Sequence, residues 1–152
     1  MKIKSIAIIG LGLMGASLAA ACRKKFPHAR ILGISRNPKA LREAQKRRWI
    51  HEGFQDIRFA AQADLVVLCT PIDIMANLLI QLDRAATRPL LVTDVGSAKE
   101  DLERRISRKR FAHIQFVGAH PMVGSHERGL EAARSNLYDC GFTFIISSKL
   151  RA

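Results

Sequence analysis

Long uninterrupted apolar runs are missing from this chain, which excludes a membrane span and a membrane partner. Aromatic residues are scarce at 6%, with one Trp and one Tyr, so there are few platforms on which unpaired bases would stack. The three cysteines, Cys22, Cys69 and Cys140, lie far apart and in no metal-ligand spacing. They read as reduced, mostly buried thiols of a cytoplasmic protein without a metal site. Acidic residues are also few, 13 against 25 Lys plus Arg, leaving a net charge of +12. An excess of that size suits an anionic partner, either nucleic acid or a phosphorylated small molecule. The cations gather, however, at Arg23-Lys24-Lys25, Lys46-Arg47-Arg48 and 104–110, which read as the ends of three helices, where the dipole favours positive charge. With few stacking aromatics as well, no nucleic-acid partner is expected. No repeat, low-complexity tract or linker interrupts the sequence. Lys2 and Lys4 before an apolar stretch ending at Cys22 imitate a secretory signal, but its apolar region would run long and carry three glycines.

What is present is enough apolar material, 48% of 152 residues, for one domain with a core. Gly10, Gly12 and Gly15 stand in G-x-G-x-x-G spacing, after an apolar run from Ile3 to Ile9 and before the helix-forming segment Leu13 to Lys25. That setting is the confirming one for a dinucleotide loop: glycines permit the tight turn and the close approach of a pyrophosphate, and the helix N-terminus offers free N–H groups. Gly10, Gly12, Leu13, Met14 and Gly15 are therefore the expected phosphate-contacting residues.

The alternation continues along the chain. Residues 30–35 read as a second strand; Asn37-Pro38 starts a helix reaching about Arg48, with a capping side chain and proline at the first helical position. The stretch 49–59 reads as a loop or brief strand. Leu65 to Cys69 is an unbroken apolar run, as in a strand covered on both faces. Ile72, Met75, Leu78, Leu79 and Leu82 share one helical face. A strand over 90–95, a helix from Ser97 to about Arg108, a short strand over 116–119, a short helix over 127–134 and a last strand over 142–146 complete the pattern. This predicts a Rossmann-type, doubly wound α/β fold, a mostly parallel sheet with helices on both faces, forming an NAD(P)-binding domain over residues 1–152.

The position near the end of the second strand selects the cofactor. Ser35-Arg36-Asn37 offers no acid for a ribose 2′-hydroxyl, whereas an arginine fork and a hydroxyl suit a 2′-phosphate. NADP is the expected cofactor, with NAD the alternative, and Ser35 and Arg36 are its expected contacts.

Two later strings follow strands: Asp94-Val95-Gly96-Ser97-Ala98-Lys99-Glu100, and Gly118-Ala119-His120-Pro121-Met122-Val123-Gly124-Ser125. With the glycine loop, and with Gly129, Glu131-Ala132-Ala133 and Leu137-Tyr138 after them, they resemble the prephenate and arogenate dehydrogenases of tyrosine biosynthesis, in order and over nearly the whole chain. The resemblance implies oxidative decarboxylation of prephenate or arogenate. It implies His120 as the base that takes the hydroxyl proton, a role to which a group titrating near neutrality is suited. Ser97 matches a serine near the nicotinamide and that histidine, although Ser97 and Glu100 also form the S-x-x-E of a capping box. Thr70 sits where family members pass the cofactor. Asp94 and Lys99 receive no chemical role, and His28, His51, His113 and His126 are expected at the surface. Many family members carry an acid where this chain has His126. The family also continues into a helical domain that dimerises and binds substrate carboxylates; it is absent here, so a homodimer is expected only where that domain is present. Two other readings stand beside this one: a module that binds NADP without catalysis, and an NADP-linked reductase of the β-hydroxyacid or imino-acid type.

Overall fold

The computed structural model describes residues 3–124 and 126–146, so Ser125 of the histidine string and Lys2 lie outside them. Seven strands form one sheet: β1 (Ser5–Ile9), β2 (Arg30–Ile34), β3 (Glu52–Phe54), β4 (Leu65–Leu68), β5 (Leu90–Asp94), β6 (Ile114–Pro121) and β7 (Thr143–Ile146). Their order is β3-β2-β1-β4-β5-β6-β7, parallel throughout except for the antiparallel β6–β7 pair. The chain moves outward one way from β1 to β3, then the other way from β4. The crevice between β1 and β4, at their carboxyl ends, is the topological switch point of an open α/β sheet.

Helices α1 (Leu13–Lys25) and α2 (Pro38–Lys46) cover one face, and α3 (Ile72–Ala85) and α4 (Glu100–Ile106) the other. α1 is nearly all small on its buried side, with Ala16, Ser17 and Ala19 fully enclosed, so its axis comes close to the sheet. Met75, Leu79 and Leu82 of α3 are fully buried as their spacing requires, with Ile72 and Leu78 packed beside them. α2 begins as its sequence demands: the Asn37 side chain accepts from the Lys39 and Ala40 N–H groups, and Pro38 takes the first turn. It stops at Lys46, two residues short of expectation, because Arg48 takes a left-handed φ of 59°. The basic clusters do fall in the last turns, Arg23-Lys24-Lys25 on α1, Lys46 on α2, Arg104 and Arg105 on α4.

Several elements differ from expectation. β1 begins at Ser5, leaving Ile3 exposed, and a 3-10 helix (Ile57–Gln62) follows β3. Residues 127–134 form turns rather than a helix, because they are pinned individually onto α1: Leu130 and Ala133 enter its apolar cluster and the Arg134 N–H donates to Ser17 Oγ at 3.0 Å. Cys140 is exposed, whereas Cys22 is buried and burial pushes its thiol up to about 11. His113 is half-buried, and its Nδ1 finds no partner among the described residues. No helix of the described residues is long and apolar enough to cross a membrane.

One carboxylate ties the α3 layer to the sheet. Asp83 accepts from the backbone N–H groups of Ala112, His113 and Ile114 at 3.1, 2.8 and 3.1 Å, fixing the entry to β6. Burial alone would raise its carboxyl, but the three donors outweigh it and hold the group below the usual carboxylate range. A depressed folded value means stability that is present above the unfolded value and lost as pH falls through the folded one. Asp83→Ala is therefore expected to cost about 1–3 kcal/mol at neutral pH. In urea titrations, that difference from the unaltered protein should shrink below about pH 4.

Candidate cofactor and catalytic site

The glycine turn is made by contacts that only glycine allows. Gly10 has a left-handed φ of 95°, and a Cβ there would lie 2.6 Å from the Cys69 carbonyl oxygen at the end of β4. A Cβ on Gly15 would run into the Gly10 carbonyl. Gly12 is the opposite case: it is exposed, and a Cβ there would meet nothing within 4 Å. Two glycines thus press α1 against the β1 turn, while the third keeps a space clear above the helix end. Gly12 is the N-cap of α1, no side chain caps it, and the first turn holds no acid. The N–H groups of the first turn therefore face that open space with the positive end of the helix dipole behind them. Leu13 contributes only its backbone, since its side chain is buried; Met14 is half-buried and its carbonyl accepts from Tyr138 Oη at 3.1 Å. Burial pushes the Tyr138 hydroxyl well above its ordinary value, so it remains a donor.

Beside this turn a cleft of about 580 Å³ opens between α2 and the segment after β6. Its walls include Gly12, Ser35, Asn37 and Lys39 on one side and Gly129 to Glu131 on the other. Arg36 is exposed and stands outside that wall, its carbonyl accepting from Gln55 Nε2 at 3.1 Å. Thr70, at the carboxyl end of β4, keeps Oγ1 shut from solvent and without a partner among the described residues. An unsatisfied buried hydroxyl costs about 1–3 kcal/mol, which marks a position that a ligand group would relieve. The open space over Gly12, the uncapped helix end and this orphaned hydroxyl fit a dinucleotide laid across the switch point.

The two specific strings meet at the neighbouring strand ends. Asp94, almost fully buried, accepts from the Gly96 N–H (2.9 Å), the Ala119 N–H (3.1 Å) and the Lys99 ammonium. Lys99 Nζ also donates to the Gly96 carbonyl at 2.5 Å, and its stem lies along Gly118. The buried pair thus closes the 94–99 turn and holds the backbone of β6 beside His120. That role was not read from the sequence, although an Asp and a Lys five apart around a glycine turn carried the signal.

Ser97 is exposed and does not form the capping box. α4 starts only at Glu100, with Lys99 as its N-cap and no side-chain cap, because the lysine is drawn inward to Asp94. His120 lies within β6 rather than after it, opposite Phe144 of β7. The strand alternation puts it on the same face as Gly118, the side of Lys99 and α4, and it is half-buried with its ring unbonded to any described residue. Gly10 to Gly15, Thr70, Ser97 and His120 all lie along one edge of the sheet, at the carboxyl ends of β1, β4, β5 and β6. Ser35 and Arg36 follow β2 on the same edge.

Fold and site together define a domain built to hold a dinucleotide at a glycine turn, with a histidine three strands away. The family model for the nucleotide-binding domain of prephenate dehydrogenase matches residues 18–147. A prephenate dehydrogenase from Lactococcus lactis is 37% identical over 139 residues, covering 90% of this chain and 39% of that protein. The crystal structure of Synechocystis arogenate dehydrogenase superposes with a TM-score of 0.83 at 30% identity, over 93% of this chain and 49% of its own. Prephenate dehydrogenase from A. aeolicus, solved with hydroxyphenyl propionate and NAD+, gives 0.80 at 26% identity, over 98% and 52%. This chain belongs to the prephenate dehydrogenase family, as its nucleotide-binding domain. It spans about two-fifths of the length of the Lactococcus relative.

Two substitutions separate the glycine roles. Gly12→Ala should leave the unfolding midpoint nearly unchanged but weaken dinucleotide binding by about tenfold or more, since the methyl group fills the pyrophosphate space. Gly15→Ala should destabilise the fold itself by about 1–3 kcal/mol or more, as overpacking does. Calorimetry with and without cofactor distinguishes them. Lys99→Met, which strands the buried Asp94 charge, should cost about 3–5 kcal/mol in denaturant titration.

Proposed function

We propose that the protein containing this chain catalyses NADP-dependent oxidative decarboxylation of prephenate or arogenate in tyrosine biosynthesis, with residues 1–152 as its cofactor-binding domain. The observation that carries this reading is His120, held by strand pairing and by the Asp94–Lys99 turn on the edge where the glycine loop opens. Family membership supplies the reaction class.

In that role Gly10, Gly12, Leu13, Met14 and Gly15 cradle the pyrophosphate, Thr70 contacts the cofactor near the switch point, and Ser35 with Arg36 favours a 2′-phosphate over a hydroxyl. The bound dinucleotide supplies the hydride acceptor. His120 accepts the proton of the substrate's ring hydroxyl at an imidazole nitrogen as hydride leaves the same ring carbon. The electrons of the breaking carboxyl bond close the aromatic ring, and carbon dioxide departs. Removing the proton as charge develops is what lowers the barrier. The exposed Ser97 hydroxyl, one strand away, is free to orient the imidazole and the nicotinamide. Substrate carboxylates and the dimer contact are assigned to a further helical domain, in keeping with the greater length of the relatives. A cytoplasmic setting accords with the three free thiols.

NADP reduction with prephenate or with arogenate supports this function, and no reduction with either overturns it. His120→Asn should retain cofactor affinity while turnover falls about 10²–10⁴-fold, the usual loss of a general base. Unchanged turnover would remove His120 from the chemistry.

A further inference from the structure

The excess positive charge gathers on one side of the molecule. Each helix runs back along the sheet, so its last turn lies at the amino ends of the strands, on the edge opposite the glycine turn. At the β2–β3 end of that edge the structure joins two basic clusters that are distant in sequence. Arg23, in the last turn of α1, donates through Nε to the Arg48 carbonyl just past α2, at 3.1 Å. Lys24 and Lys25 follow Arg23, Lys46 closes α2, and these three and Arg48 are exposed. The neighbouring acids are already engaged, Glu43 by Arg47 and Glu52 by Arg30. Among the described residues, no ion pair joins Arg23, Lys24, Lys25, Lys46 or Arg48 to an acid.

The helix dipole accounts for cations in the last turns, but not for two further features. Arg48 holds its φ of 59° in the turn that ends α2, where the Arg48 and Trp49 N–H groups return to the Gln45 and Ala44 carbonyls. Glycine ordinarily fills that left-handed position, because a side chain there strains the backbone. The second feature is His51. Its Nδ1 lies 2.8 Å from the Ile31 N–H, and its Nε2 lies 2.6 Å from Arg23 Nη1. Partial desolvation and the Arg23 charge hold the ring below its ordinary value, so it is neutral near pH 7. A neutral imidazole has one lone pair and cannot accept from both, so one donor is left without an acceptor. An anion bound here would meet a free donor and offset the crowded charge.

A nucleic-acid backbone would need the basic track to continue along the edge. It is interrupted at β1 and β4, where Asp64 takes the Lys4 and Ser5 N–H groups and pairs with Arg88. The one tryptophan, Trp49, already lies under the Arg47 guanidinium, 4.9 Å from the ring centre, and offers no face to a base. A short patch of guanidinium forks and flexible ammonium groups suits the side-chain carboxylates of an acidic polypeptide.

We propose that Arg23, Arg48 and His51, with Lys24, Lys25 and Lys46 beside them, form a docking surface for an acidic segment of a partner protein. It lies on the edge opposite the cofactor cleft, so both can be occupied at once.

Fluorescence anisotropy of a labelled oligoglutamate peptide tests this with the unaltered protein, Arg48→Gly, the double variant Arg23→Gln/Arg48→Gly, and a charge-matched control. The control is Lys109→Gln/Arg110→Gln, at exposed positions in the cluster past α4. Arg23→Gln/Arg48→Gly should weaken the peptide about tenfold or more, as loss of close charge-assisted contacts does, and the control about twofold or less. Arg48→Gly alone should weaken it too, while its unfolding midpoint stays level or rises, since glycine relieves the left-handed backbone. Dinucleotide affinity should be the same in all of them. Equal peptide losses in the two double variants, or no peptide binding to the unaltered protein, overturn the inference. So does a lowered midpoint in Arg48→Gly, which would give the residue to the fold, or a parallel loss of dinucleotide affinity. Tighter binding of duplex RNA or of anionic phospholipid vesicles than of oligoglutamate, abolished by the same substitutions, overturns the protein partner.

Discussion

The contact between α1 and the turn after β1 fixes everything that happens at the sheet's carboxyl edge. Gly15 sits so close to the Gly10 carbonyl that no side-chain atom fits between them, and Gly10 in turn lies against the end of β4. The helix end is thereby seated in the β1–β4 crevice with its first N–H groups pointing outward. Everything a dinucleotide needs from the backbone follows from that placement, since uncapped donors and a dipole act only within the first turn. The small residues along α1 serve the same end, because a bulky face would lift the helix and close the space over Gly12.

A second constraint acts two strands away. The Asp94–Lys99 pair is buried, and breaking either side would leave an unpaired charge. Its oxygens also take backbone donors from the Gly96 turn and from β6. The pair therefore sets the register between the loop carrying Ser97 and the strand carrying His120. It links a folding requirement to the geometry of the proposed proton transfer.

The elements whose cause is local were legible in the sequence. Glycine spacing between a strand and a helix, the Asn37-Pro38 start of α2, the apolar face of α3 and the continuous run of β4 each followed from a side chain's own preference or its period. What escaped was set by distant partners. The S-x-x-E pattern at Ser97 gave no cap because Lys99 is pulled to Asp94. Residues 127–134 have a helix-like composition yet form turns, held by Ser17 and by the apolar cluster of α1 more than a hundred positions earlier. His120 was expected just past the strand, but antiparallel pairing with β7 extends that strand through Pro121. The candidate site was accordingly read residue by residue, while its wall at 129–131 and its Lys39 emerged only from the assembled cleft.

A crystal structure of this chain with a nicotinamide dinucleotide bound tests the central claim most directly. The pyrophosphate should lie over Gly12 at the amino end of α1, the adenosine in the cleft beside α2, and the nicotinamide toward Thr70 and the His120 side of the sheet. A dinucleotide bound elsewhere, or with its nicotinamide directed away from β6, would contradict the account.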